Sequence, residues 1–263
     1  MSKYVLVPDS FKGTMTSREI CEIMQRAIER IDHDAKIISV PVADGGEGSV
    51  DAFLSALGGE RKTVTVTGPH FEKLNCSYGI TGDGTAIIEM SACAGLPLVY
   101  GKKNPELTTT YGVGELICDA ARSGARRIVI GLGGSATNDG GCGAAAAAGI
   151  KFYDKAGKSF VPVGRTLKDI ASIDYSGIDA ALTGISISAM CDVDNPLLGE
   201  AGAANVFGPQ KGANAAMIAR LDTGLRHLAE VSGKAKLASM PSAGAAGGMG
   251  FGMMAFFNCP LQM

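Results

Sequence analysis

The 263-residue sequence predicts an α/β protein built on parallel sheets. Three observations predict it. A strand-like run, Tyr4–Pro8, leads through a loop into an amphipathic helix pattern; the same unit repeats from Lys36; and a third strand, Arg126–Ile130, runs into the glycine-rich stretch 131–141. Consecutive βα units join parallel strands by right-handed crossovers, which leaves the loops after the strands along one edge, the usual ligand edge.

The elements follow in order. Thr16 and Glu19 have capping-box spacing, and Ile20, Ile23, Met24, Ala27, Ile28 and Ile31 recur at helical period. Lys36–Val42 is the second strand, 43–48 an acidic glycine loop, and Ser49–Leu57 a short helix. Lys62–Gly68 alternates as a strand and is a candidate third member of the first sheet. Ser77–Ile80 and Ala86–Met90 flank a Gly82–Gly84 turn as a hairpin. Thr108–Thr110 is placed to cap a helix running to Ser123, and Ala144–Ala148 is helical. Ile150–Tyr153 and Phe160–Val163 form a second hairpin around 154–158. Ile185–Met190 is a strand, Ala213–Val231 a long amphipathic helix, and Gly244–Gly252 a second glycine-rich segment whose neighbouring methionines are core packing.

Composition narrows the function classes. Hydrophobic residues make up 46% and charged residues 19%, as in a compact soluble protein. A net charge of -2 gives no nucleic-acid footprint, and no apolar run is long enough for a signal peptide or a membrane span. Seven scattered cysteines without a CxxC pair point to reduced thiols in a cytoplasm. His33, His70 and His227 stand singly, as surface or satisfied histidines do.

Chemistry is sought in the loops after strands. In Gly131–Gly141, Gly133, Gly134, Ser135, Thr137 and Asn138 offer donors to a phosphate, with Asp139 available for a metal. A dinucleotide fingerprint is the minority alternative: Gly131, Gly133 and Ala136 fit its spacing, and Asp154 stands where a ribose-binding acid is expected. Against it, Gly140, Gly141 and Gly143 would fall inside a helix that must start at once. A Walker P-loop is excluded, because Phe152 occupies the position of the glycine required before Gly157–Ser159. Asp9, Ser10 and Lys12 follow the first strand, and Asp44 and Glu47 the second; each group suits phosphate, metal or hydroxylated substrate, or plain turn chemistry. Asp192 and Asp194 have a spacing that suits Mg²⁺, or an ordinary turn before Pro196. A lysine, three acidic loops and an anion loop after successive strands suit phosphoryl transfer from a nucleotide.

Longer blocks then resemble the bacterial-type glycerate kinases: Pro8–Gly13, Pro41–Gly48, Thr108–Glu115, Gly131–Gly141, Cys191–Leu197, Phe207–Gly212 and Gly244–Gly248, in family order. The resemblance implies transfer of the ATP γ-phosphate to D-glycerate with Mg²⁺, giving 2-phosphoglycerate. It implies two α/β domains, one inserted into the other: residues 1–72 the N-terminal part of an outer domain, 73–263 the inserted domain. Because family members run on past this length, the outer domain is expected to be incomplete, and the chain alone not a competent kinase. On matched positions, Lys12, Asp44 and Asp192 are expected as catalytic groups. Asp9, Ser10, Glu47, Gly133, Gly134, Ser135, Thr137 and Asn138 would bind substrate or phosphate, and Asp139 and Asp194 the metal. An NAD-binding oxidoreductase and a catalytically silent fragment are the competing expectations.

Overall fold

The computed structural model of the protein describes residues 1–11, 14–43 and 45–262. Strands β1 (Lys3–Leu6) and β2 (Lys36–Ser39) pair in parallel, Lys3 opposite Lys36, with helix α1 (Ser17–Glu29) between them in the chain. The capping box closes as its spacing predicts. Thr16 Oγ1 accepts from the Glu19 amide at 3.2 Å, and Glu19 Oε2 accepts from the Thr16 amide at 2.7 Å. Helix α2 (Ser49–Leu57) has the predicted bounds.

The second sheet collects β3 (Gly59–Thr67), β4 (Lys73–Thr81), β5 (Thr85–Glu89), β6 (Arg127–Gly131), β10 (Ser186–Met190) and β11 (Leu261–Gln262). Its six strands run in the order β11-β10-β6-β5-β4-β3. The pairs from β11 to β5 are parallel; β4 and β3 join antiparallel. A third sheet holds β7 (Lys151–Tyr153), β8 (Ser159–Phe160) and β9 (Ser172–Asp174), all antiparallel. Both expected hairpins form, as β4–β5 and β7–β8.

One expectation is corrected. Residues 62–68 do not extend the parallel β1–β2 pair. They belong to β3, which lies against β4 with Lys62 opposite Tyr78, because the short connection 68–72 returns the chain as a hairpin. Sheet membership therefore changes between α2 and β3, at residues 58 and 59. The second sheet is parallel-rich and mixed, in keeping with the parallel βα units and the hairpins expected from the sequence.

Helices α3 (Ser91–Ala94), α4 (Tyr111–Arg122), α5 (Cys142–Ala147), α6 (Ala203–Phe207), α7 (Ala215–Val231) and α8 (Ala245–Phe257) complete the order. Ile87 and Ile88 of β5, and Ile128 and Ile130 of β6, are fully buried. Central parallel strands are covered on both faces, so they read as unbroken apolar runs; each such side chain contributes about 1.5–3 kcal/mol on burial. Helix α8 is apolar all round and stands between two core clusters. Met249 and Met253 pack into one, Phe251 and Phe256 into the other, in line with the core role expected of its methionines. All seven cysteines are buried free thiols. Among the described residues no helix is long and apolar enough to cross a membrane.

Candidate functional site

The glycine-rich loop leaves β6 at Gly131 and enters α5 at Cys142. It packs on neighbouring backbone at glycine positions. A Cβ on Gly131 would stand 2.0 Å from the Gly45 carbonyl oxygen, and the Gly133 amide donates to that oxygen at 3.2 Å. Gly45 in turn lies against Met190, the last residue of β10. The loops that follow β2, β6 and β10 thus meet at one strand edge, as successive βα units require.

Within the loop only Gly133 and Gly134 reach solvent, and Gly134 takes a left-handed φ of 71°. Ser135, Thr137, Asn138 and Asp139 are buried. Four protein donors occupy the Asp139 carboxylate: the Thr110 amide at 2.8 Å and hydroxyl at 2.9 Å, and the Gly141 and Gly143 amides at 3.1 and 3.2 Å. These donors stand at the N-termini of α4 and α5, so the anion that two helix ends attract is the protein's own. Burial pushes the carboxyl up, opposed by the bonds from Thr110, Gly141 and Gly143. Asp139 is thus fully buried and engaged by the protein itself, three of the four donors sharing Oδ2 and one bonding Oδ1. The same bonds explain Thr110, whose hydroxyl reaches Asp139 instead of capping α4.

Among the described residues Thr137 Oγ1, both polar atoms of Asn138 and His70 Nε2 find no hydrogen-bond partner. Orphaned polar atoms are costly inside a protein, about 1–3 kcal/mol each. The part of the loop open to an incoming group is the exposed, left-handed Gly134 beside the partly exposed Gly133, whose own amide is spent on the Gly45 carbonyl. An incoming polyanion with hydrogen-bonding oxygens fits this loop.

A cavity of about 390 Å³ adjoins the N-terminus of α1, lined by Ser10, Thr16, Arg18, Glu47, Asp51 and Pro97 among others. Ser10 and Glu47 both line it. Asp9 is exposed, its carboxylate accepting from the Ser10 amide at 2.7 Å. Asp192 and Asp194 are exposed in the turn after β10, which Ser242 pins by donating to the Val193 carbonyl at 2.7 Å. Lys12 and Asp44, both expected to be catalytic, lie outside the described residues. Among the described residues no group of three or more His, Cys, Asp or Glu could hold a metal ion. Exposed Asp192 and Asp194 still fit Mg²⁺, which takes one or two carboxylates and keeps waters.

Three groups were missed, Glu106 and Lys211 buried and Glu89 partly buried. Glu89 accepts the Val50 amide at 2.7 Å and so caps α2, whose own N-cap, Gly48, is left-handed; burial pushes its carboxyl up. Glu106 holds Arg220 through Nε at 2.7 Å. Lys211 is buried under the glycine-rich loop. Its membership of the block Phe207–Gly212 was the available signal.

The dinucleotide alternative fails on geometry. Gly140 and Gly141 are left-handed, and α5 begins only after them, so no helix opens directly behind the first glycines. Asp154 is engaged in its hairpin turn, accepting from the Ala156 and Lys158 amides at 2.9 Å each.

A profile of the glycerate kinase family matches residues 4–263. The chain belongs to the glycerate kinase family. It is 48% identical to the glycerate 2-kinase of Escherichia coli K12, over 99% of this chain and 70% of that one. Identity to a glycerate kinase of Halalkalibacterium halodurans is 45%, with the same coverage of both chains. A solved structure described as a glycerate kinase 2 from Salmonella typhimurium LT2 superposes with a TM-score of 0.88 at 42% identity, covering 99% of this chain and 71% of that chain. The family assignment makes the chain a phosphotransferase enzyme, and the α/β fold agrees with the Salmonella structure.

Proposed function

We propose that the chain transfers the γ-phosphoryl group of ATP to D-glycerate, yielding 2-phosphoglycerate, as a cytoplasmic enzyme. The observation that carries this reading is the meeting of the glycine-rich loop with the loop after β2 at Gly45 and Gly131. On this reading the Gly133–Gly134 tip receives phosphate beside the segment that carries Glu47. The name of the Escherichia coli relative supports the 2-position of the product. ATP would supply the phosphoryl group and Mg²⁺ its charge neutralisation. Gly133, Gly134 and Ser135 bind phosphate oxygens, and Ser10 and Glu47 take the glycerate hydroxyls from the cavity. Lys12 neutralises the transferred charge, and Asp44 and Asp192 are the candidates for receiving the hydroxyl proton. Asp194 orients Mg²⁺, alone or with Asp192. We place the division between an outer and an inserted domain at the α2–β3 junction, where sheet membership changes.

The test is D-glycerate-dependent ADP formation, with the product read by enolase. 2-Phosphoglycerate yields phosphoenolpyruvate with enolase alone, whereas 3-phosphoglycerate needs a mutase as well. Asp192→Asn and Asp194→Asn should each raise the Mg²⁺ needed for half-maximal rate by about tenfold or more. Absence of glycerate-dependent ADP formation would refute the reading, and unchanged Mg²⁺ titrations would return both aspartates to turn chemistry.

A further inference from the structure

The glycine-rich loop contains no lysine or arginine between residues 131 and 141, yet a cation lies directly under it. Lys211 ends a single 3-10 turn, Pro209–Lys211, and is only 2% exposed. The turn is held on both sides. Lys103 Nζ donates to the Gln210 carbonyl at 3.1 Å, and Gly212 takes a left-handed φ of 93° so close to Lys103 that a Cβ there would meet its side chain at 2.8 Å. The Lys211 side chain runs inward and donates to Ser135 Oγ at 2.8 Å and to the Thr137 carbonyl at 2.7 Å.

Lysine is an expensive way to satisfy two buried acceptors, because its charged form must leave water. Burial pushes the amine down to about 7, and Asp139 is the one ionisable neighbour whose charge opposes that. An amine poised there gains a proton when an anion settles nearby. Because Nζ donates to Ser135 Oγ, the serine hydroxyl hydrogen is left to donate elsewhere.

We propose that Lys211 is the positioning residue of the phosphate loop: from beneath, it fixes Ser135 and the Ser135–Thr137 turn and supplies the positive charge that the loop itself lacks. The inference rests on the nucleotide reading above, and it adds a residue to which no role was assigned from the sequence.

The experiment is calorimetric titration of the full chain with ADP at pH 7.5 in two buffers of different ionisation enthalpy, for wild type, Lys211→Met and Ser135→Ala. Wild type should take up more than about half a proton per ADP, as a group poised near neutrality does when it becomes charged. Lys211→Met should take up none and bind ADP at least tenfold more weakly, while keeping its melting temperature to within a few degrees. In Ser135→Ala the affinity should fall by a similar factor, and the double variant should lose little more, since one contact carries both effects. Wild-type affinity and proton uptake in Lys211→Met would overturn the proposal. Should that variant fail to fold, unchanged affinity in Ser135→Ala would overturn it instead. A wild type that binds no ADP would refute the nucleotide reading, and the proposal with it; a wild type that binds ADP while Lys211→Met also binds normally refutes only the role of Lys211.

Discussion

Replacing Asp139 with asparagine should destabilise the fold by about 2–3 kcal/mol, and the figure follows from its four partners. Three donors converge on Oδ2, namely the Thr110 amide, the Thr110 hydroxyl and the Gly143 amide; Oδ1 accepts from the Gly141 amide. Asparagine keeps one oxygen, which belongs with the three donors, and must turn its NH₂ towards Gly141. The three retained bonds lose charge assistance, at about 0.5–1 kcal/mol each, and the buried Gly141 amide is orphaned at about 1–3 kcal/mol. The gross loss is therefore about 2.5–6 kcal/mol. Removing a buried charge returns part of it, because burial already pushes the Asp139 carboxyl up. For a chain of this length the net corresponds to roughly 5–10 °C in Tm. Thermal melts followed by circular dichroism, beside urea titrations of both proteins, measure it. Asp139→Asn melting within a degree of wild type would refute the reasoning that this carboxylate holds α4 and α5 together. Higher stability with weakened Mg²⁺ dependence would support the metal role.

Other perturbations are equally direct. Gly131→Ala puts a methyl group 2.0 Å from the Gly45 carbonyl oxygen, so the two loops must part; a stability loss of about 1–3 kcal/mol and at least tenfold slower turnover are expected from urea titration and the coupled assay. Wild-type kinetics would show that the contact does not position the site. Glu106 has its carboxyl held below the usual range, chiefly by the Arg220 hydrogen bond. Its stabilisation is thus complete above the unfolded-state value of about 4.3 and is lost as pH falls through the lower folded-state value. Glu106→Gln should cost about 1–3 kcal/mol at pH 7, and the gap to wild type should close below about pH 4. A gap that stays constant down to pH 3 would contradict this.

Local features were legible in the sequence where one short segment contains all the physics. The capping box of Thr16 and Glu19, the turns at Gly82–Gly84 and 154–158, and the unbroken apolar strand before Gly131 each depend on neighbours a few residues away. Sheet membership was harder. The alternation in residues 62–68 suits an edge in either sheet, and only the hairpin-length return at 68–72 ties them to β4. In the glycine-rich loop the side-chain partners lie far away in the chain, where no local pattern shows them. Asp139 among glycines looks the same whether it awaits a metal or anchors two helices; its partner Thr110 lies 29 residues upstream. Lys211 resembles a solvated turn lysine until its contact with Ser135, 76 residues away, is seen. The family resemblance supplied the activity class, which loop chemistry alone left open between phosphate binding and turns.

The burial of every thiol turns the molecule into its own labelling reporter. Cys21 sits on α1, Cys76 on β4, Cys93 on α3, Cys118 on α4, Cys142 at the start of α5, Cys191 beyond β10 and Cys259 after α8. Burial pushes the Cys118 thiol up to about 11 and the Cys259 thiol up to about 12, so at these two positions the reactive thiolate is scarce as well as hidden. An alkylating reagent added to the folded chain therefore reads openings of the structure and little else. Peptide mapping of each cysteine against time would rank the local opening rates of the β1–β2 unit, the six-stranded sheet and the helices around it in a single experiment, without a single engineered probe.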